Sequence, residues 1–163
     1  MGEIKAIALD VDGVLTDGTF WWGPDGQEWK RFSYRDVMGI ARARRAGLIV
    51  ALVSGEDSPL IGRYAEKLGI KDIFKGRKDK AAALREFAYR NEIPLSAIAF
   101  MGDDVNDLEA IQLAGFSAVP ADAEDAVKDA ATFVSRFPGG GGAVRDLVEY
   151  LLIAAKERMQ AKQ

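Results

Sequence analysis

Ile4-Lys5-Ala6-Ile7-Ala8-Leu9-Asp10-Val11-Asp12-Gly13 joins an apolar run to two carboxylates and a glycine. An apolar stretch of this length, bounded by a turn residue, has the signature of a buried strand. Carboxylates at the end of such a strand are costly to desolvate unless a cation or a substrate proton compensates them. Strand side chains alternate, so Asp10 and Asp12 share a face where the extended backbone continues past Asp10. Gly13 then permits an immediate turn. Alone, these residues also fit an acidic turn capping the next segment.

Working outward, further apolar runs stand at 48–53, 97–101, 117–119 and 132–134. Segments of helical periodicity lie near 37–46, 58–68, 79–91, 104–114 and 122–130. Strands alternating with helices predict an α/β fold, a Rossmann-like doubly wound parallel sheet with helices on both faces. Ligands of such sheets bind beyond the carboxyl ends of the strands. Polar signals occur there three times: Asp10-Val11-Asp12, Ser54-Gly55-Glu56 and Gly102-Asp103-Asp104. Their coincidence marks the expected site.

Residues of about 15–34 break the alternation. The stretches 19–22 and 28–32 flank Pro24-Asp25-Gly26 and predict a projecting β-hairpin. All three tryptophans, Trp21, Trp22 and Trp29, concentrate there. Either a partner subunit covers them or they fold back on their own domain. Pro138 and the glycines 139–142 predict a flexible hinge before an Ala/Leu-rich helix near 143–158 and a charged tail, the C-terminal region of about 138–163. Residues 1–163 carry no repeat and no second domain boundary, so one domain is expected.

Composition narrows the chemistry. The charged fraction of 29% and hydrophobic fraction of 48% are those of a globular protein. A net charge of -3 with dispersed basic residues offers no footprint for nucleic acid. No apolar run reaches membrane-spanning length and no signal-like start is present, so the cytoplasm is the expected location. Cysteine and histidine are absent, which excludes thiol nucleophiles, thiolate or imidazole metal sites and a Ser-His-Asp triad. Carboxylates, lysines and hydroxyls remain, and a carboxylate site prefers a hard cation such as Mg²⁺.

Asp10-Val11-Asp12-Gly13-Val14, Ser54-Gly55, Lys80 and Gly102-Asp103-Asp104-Val105-Asn106-Asp107 resemble, in order, the four motifs of the haloacid dehalogenase superfamily. The resemblance implies that Asp10 is the nucleophile that forms an aspartyl-phosphate and that Asp12 is the general acid–base. It implies that Ser54 and Lys80 hold the phosphoryl oxygens. It further implies that Asp103 completes a Mg²⁺ site with Asp10 and the Asp12 carbonyl. The roles are physically coherent, because a carboxylate attacking a phosphoryl group needs positive charge to screen the repulsion. Asp104 and Asp107 are second to these; one orients metal-bound water or Lys80, and the other caps the following helix. In isolation, Ser54 also fits a helix cap and Lys80 a surface lysine.

The short spans from Asp10 to Ser54 and from Ser54 to Lys80 leave no room for a cap domain. Asp12-Gly13-Val14-Leu15-Thr16-Asp17-Gly18, the Trp hairpin, Asp36 with Gly39-Ile40, and Gly142-Ala143-Val144-Arg145-Asp146 further resemble the capless sugar-acid phosphatases. That implies a small-molecule 2-keto-3-deoxy sugar-acid phosphate as substrate. It also implies a homotetramer built through the hairpins, with a neighbour helping to cover the site. The octulosonate 8-phosphate branch carries arginines where this chain has Ala41, Glu56 and Tyr64. Glu56 and Lys67 match a pair of the nonulosonate 9-phosphate branch (KDN or sialic-acid type), with Gly13 and Gly55 lining the same substrate site. The nonulosonate is therefore the expected substrate and the octulosonate the alternative. A solvated Glu56 capping a helix and Lys67 in its last turn is the bland reading of that pair.

Two other classes share parts of the pattern. A phosphoacceptor receiver domain uses an acidic cluster, Ser/Thr and Lys on a similar sheet, but its strand-end motifs run in another order. A non-catalytic regulatory domain has no need of both Asp10 and Asp12.

Overall fold

The computed structural model describes residues 2–161. In chain order the elements are β1 (Ala6–Leu9), β2 (Trp21–Trp22), β3 (Glu28–Trp29), α1 (Tyr34–Arg45), β4 (Ile49–Val53), α2 (Pro59–Leu68) and β5 (Asp72–Phe74). They continue with α3 (Lys80–Arg90), β6 (Ile98–Met101), α4 (Leu108–Leu113), β7 (Phe116–Val119), α5 (Asp125–Ala130), β8 (Phe133–Val134) and α6 (Ala143–Gln160). Six strands form one parallel sheet in the order β5-β4-β1-β6-β7-β8. The order runs away from β1 in both directions, so the switch point lies at β1 and β6, where a ligand crevice forms.

The sheet is buried on both faces, and its strands divide their side chains accordingly. Ile7, Leu9, Val50 and Leu52 join one core, while Ala6, Ala8, Ala51 and Val53 join the other. Residues of α1, α2 and α6 close the first face; those of α3, α4 and α5 close the second. Alanine on the β1 and β4 side of the second face leaves room for Phe74, Phe87 and Phe100.

Several boundaries differ from those expected. α1 starts at Tyr34, three residues early, because the Ser33 hydroxyl accepts from the Arg35 N–H and caps it. The stretch 104–114 divides into a 3₁₀ turn at Val105–Asp107 and the short α4. β5 gave no sequence signal, being three residues long with Asp72 in it. The hairpin ladder is short, pairing Trp21 with Trp29 and Trp22 with Glu28.

The glycine run is not the free hinge its composition predicts. Gly139 and Gly140 are buried, and the Gly140 N–H donates to the Val14 carbonyl at 3.0 Å. A Cβ on Gly139 would stand 1.9 Å from the Gly13 carbonyl oxygen, so bare backbone is required for this approach. The run supports the turn after β1. Part of the charged tail lies outside the described residues.

Candidate active site

The carboxyl ends of β1, β4 and β6 open into a cleft of about 260 Å³. Every expected site residue lines it except Asp107 and Lys67, and Gly18 and Asn106 join them. Asp10 follows β1 directly; its N–H donates to the Met101 carbonyl at 2.9 Å, which ties it to β6. The turn beyond is closed by Thr16, whose buried hydroxyl accepts from the Gly13 and Gly18 N–H groups at 3.3 and 3.2 Å. Gly13 has φ +83°, and a Cβ there would stand 1.9 Å from Asp103 Oδ2. Only glycine brings this turn against the Asp103 carboxylate.

Lys80 is the first residue of α3, which Asp79 caps by accepting from the Ala82 N–H at 2.8 Å. The cap directs a buried ammonium into the cleft, 3.0 Å from Asp10 Oδ1 and 2.6 Å from Asp107 Oδ1. Asp107 lies behind the cleft, fully buried, and its Oδ2 accepts from the Asp103 and Asp104 N–H groups at 3.0 and 3.4 Å. It thus fixes Lys80 and the backbone of the Asp103 loop together. Asp104 is the helix cap of the two, accepting from the Val105 N–H at 2.6 Å.

Burial, then the Asp107 charge, push the Asp10 carboxyl well above the usual carboxylate range, with Lys80 pulling against them. The same two causes push Asp103 up to about 6. Burial disfavours the Lys80 ammonium, but Asp10 and Asp107 outweigh it and hold lysine above its ordinary value. The cluster therefore carries more negative charge than one lysine neutralises. Carboxylate oxygens of Asp10, Asp103 and Asp107 lie within 4.8 Å of one another, an all-oxygen donor set suited to a hard dication. With two oxygens of Asp107 already spent on Lys80 and the loop N–H groups, Asp10 and Asp103 are the carboxylates left to face an ion, and Mg²⁺ fits.

Ser54 is buried at the end of β4, and its hydroxyl accepts from the Glu56 N–H at 3.1 Å. Helix α2 is capped instead by Ser58, which accepts from the Leu60 N–H, so neither Ser54 nor Glu56 caps it. Glu56 faces the cleft. Lys67 does not line it within this chain. It stands in the last turn of α2, about 12 Å along the axis from Pro59, with its ammonium 4.9 Å from the Tyr34 ring centre. A helix separates the two side chains, so one chain does not bring them to one ligand.

Sequence reasoning missed Lys30. Its ammonium lies 2.7 Å from Asp12 Oδ1 and 3.3 Å from Glu28 Oε1. A lone lysine in a hairpin gives no signal except its alternation with Trp29. Asp12 Oδ2 is buried and accepts no hydrogen bond among the described residues.

Residues 70–145 match the haloacid dehalogenase-like hydrolase family. The chain is 35% identical over 160 residues to the 3-deoxy-D-manno-octulosonate 8-phosphate phosphatase of Escherichia coli K12, across 98% of this chain and 85% of that enzyme. A crystal structure of the Moraxella catarrhalis 3-deoxy-D-manno-octulosonate 8-phosphate phosphatase, in complex with magnesium ion, phosphate ion and KDO, is similar with a TM-score of 0.91. It is 34% identical, across 98% of this chain and 94% of the other. The cobalt-bound deoxy-D-mannose-octulosonate 8-phosphate phosphatase of Haemophilus influenzae gives a TM-score of 0.90 at 38% identity, across 93% and 89% of the two chains. Similarity at this level over nearly the whole length, on the same sheet, makes the chain a member of the haloacid dehalogenase superfamily, in its capless branch of Mg²⁺-dependent sugar-acid phosphatases.

Proposed function

We propose that this protein hydrolyses 3-deoxy-D-manno-octulosonate 8-phosphate through an aspartyl-phosphate on Asp10. The observation that carries the choice of sugar is the full-length identity with phosphatases of that substrate. The nonulosonate reading rests on Glu56 and Lys67, and within one chain only Glu56 faces the cleft.

Asp10 and Asp103, with the Asp12 carbonyl, would hold Mg²⁺, whose charge would screen the repulsion between the Asp10 carboxylate and the phosphoryl group. Asp10 attacks phosphorus in line, forming an O–P bond as the sugar C–O–P link breaks on its phosphorus side. Lys80 and the Ser54 hydroxyl stabilise the phosphoryl oxygens. Asp12 gives its proton to the departing alkoxide. It then takes a proton from water, whose oxygen displaces Asp10 from phosphorus and releases inorganic phosphate. Gly13 and Gly55 let the backbone approach the phosphoryl group, and Glu56 meets a sugar hydroxyl. The working unit in this reading is a homotetramer joined through the tryptophan hairpins, which leave Trp21, Trp22 and Trp29 more than half exposed in the single chain.

Phosphate release with Mg²⁺ from octulosonate 8-phosphate, a nonulosonate 9-phosphate and p-nitrophenyl phosphate tests the assignment. A kcat/KM preference for the octulosonate is expected. A preference for the nonulosonate overturns the choice of sugar, and comparable weak activity on all three overturns the biosynthetic assignment.

A further inference from the structure

Lys30 belongs to a hairpin whose tryptophans are 59–71% exposed, yet its own side chain is 4% exposed. A lysine in that position loses its hydration and most of its rotamer freedom, a cost that solvent-facing hairpin lysines avoid. The compensation is specific. Its ammonium bonds Asp12 Oδ1 at 2.7 Å across 18 residues of sequence, and Glu28 Oε1 at 3.3 Å steadies it from its own strand. Glu28 in turn accepts from the Ser58 hydroxyl at 3.4 Å, reaching the cap of α2. Glu28 of β3 and Lys30, which directly follows the strand, both reach toward the catalytic loop, whereas Trp29 between them is exposed.

The two oxygens of Asp12 are thereby made unequal. Oδ1 is tied to Lys30, whereas Oδ2 is buried and accepts no hydrogen bond from the described residues. We propose that Lys30 is a positioning residue for Asp12, holding its carboxyl in one rotamer at the cleft where it moves the proton to and from the reacting oxygens, and that the hairpin is thus part of the catalytic apparatus as well as a surface. The inference rests on the acid–base role given to Asp12 above. In the first step the electron pair of the breaking P–O bond leaves on the sugar oxygen, which takes the Asp12 carboxyl proton. Lys30 keeps its own proton throughout. A misdirected carboxylate slows this transfer steeply, because proton donation depends on placement within hydrogen-bond reach.

A leaving-group comparison in single turnovers, with enzyme in excess, tests it. An alkyl phosphate such as octulosonate 8-phosphate needs its leaving oxygen protonated; p-nitrophenyl phosphate leaves as a stable anion. Lys30→Met is expected to slow alcohol release about 10- to 100-fold while p-nitrophenol release changes little. KM for both substrates and the Mg²⁺ dissociation constant from calorimetry should stay near wild type. Lys30→Arg should recover part of the loss, and it also serves if Lys30→Met folds poorly. Equal slowing on both substrates, or none on either, overturns the proposal. Asp12→Asn separates the two levels: if it shows no leaving-group dependence, the acid–base reading of Asp12 falls, whereas dependence in Asp12→Asn without any in Lys30→Met overturns the role of Lys30 alone.

Discussion

Asp10, Lys80, Asp107 and Asp103 form a chain in which each charge sets the state of the next. Asp10 cannot be replaced by its amide without losing both nucleophile and anionic ligand. Asp10→Asn should therefore abolish turnover in a phosphate-release assay, and appreciable residual activity would contradict the aspartyl-phosphate. The Asp103 shift gives a pH prediction. Its folded pKa of about 6 lies above the usual 3.8, so the metal-free folded state keeps this proton to higher pH than the unfolded chain. Stability from this group is then greatest at low pH and falls as pH rises between those values. Ionised Asp103 is what the cation needs. Calorimetric Mg²⁺ affinity should weaken as pH drops through about 6, and added Mg²⁺ should raise the neutral-pH melting temperature most. A pH-independent affinity between 5 and 8 would contradict the assigned ligand.

At the scale of elements, the junction of α1 and α6 shows how a remote contact supports the site. α6 begins at Gly142 with no side-chain cap of its own. The fully buried Asp36 of α1 supplies it, accepting from the Gly142 and Arg145 N–H groups at 3.1 and 3.0 Å. Burial nevertheless pushes the Asp36 carboxyl upward, so the cap works against its own desolvation. Gly39 lets the helices touch, since a Cβ there would stand 2.8 Å from the Arg145 Cα. Asp36→Ala leaves two helix N–H groups unsatisfied in the interior and should cost about 1–3 kcal/mol. That corresponds to a melting temperature lower by roughly 3–10 °C, readable by calorimetry. The glycines 139–142 precede this helix and buttress the β1 turn, so loosening α6 loosens the loop that carries Asp12.

For the whole molecule, an open cleft and an exposed aromatic hairpin belong to one design. The sheet supplies the chemistry at its carboxyl edge, while Phe20, Trp21, Trp22 and Trp29 stand at least half exposed. On the proposed hairpin assembly, Trp22→Lys with Trp29→Lys should lower the solution mass measured by light scattering below that of the wild-type protein. A wild-type protein that is monomeric by the same measurement would exclude the hairpin assembly. No helix among the described residues is long and apolar enough to cross a membrane, in keeping with the apolar-run lengths.

The sequence by itself determined the parallel sheet and the positions of Asp10, Ser54 and Asp103, because strand periodicity and glycine turns are written in neighbouring residues. It also determined the Mg²⁺ chemistry, since without cysteine or histidine only oxygen donors and lysines remain. It paired Glu56 with Lys67 without any distance between them, and a single chain leaves a whole helix between the two. It left open which of Asp104 and Asp107 served Lys80, since both lie within one short turn and only the fold shows which one faces inward. The tertiary structure alone decided the pairs Lys30–Asp12, Lys80–Asp107 and Asp36 with the start of α6, 18, 27 and 106 residues apart. Such contacts depend on how closely helices, turns and hairpin approach across the sheet, and close approach is a property of packing, which no local pattern encodes.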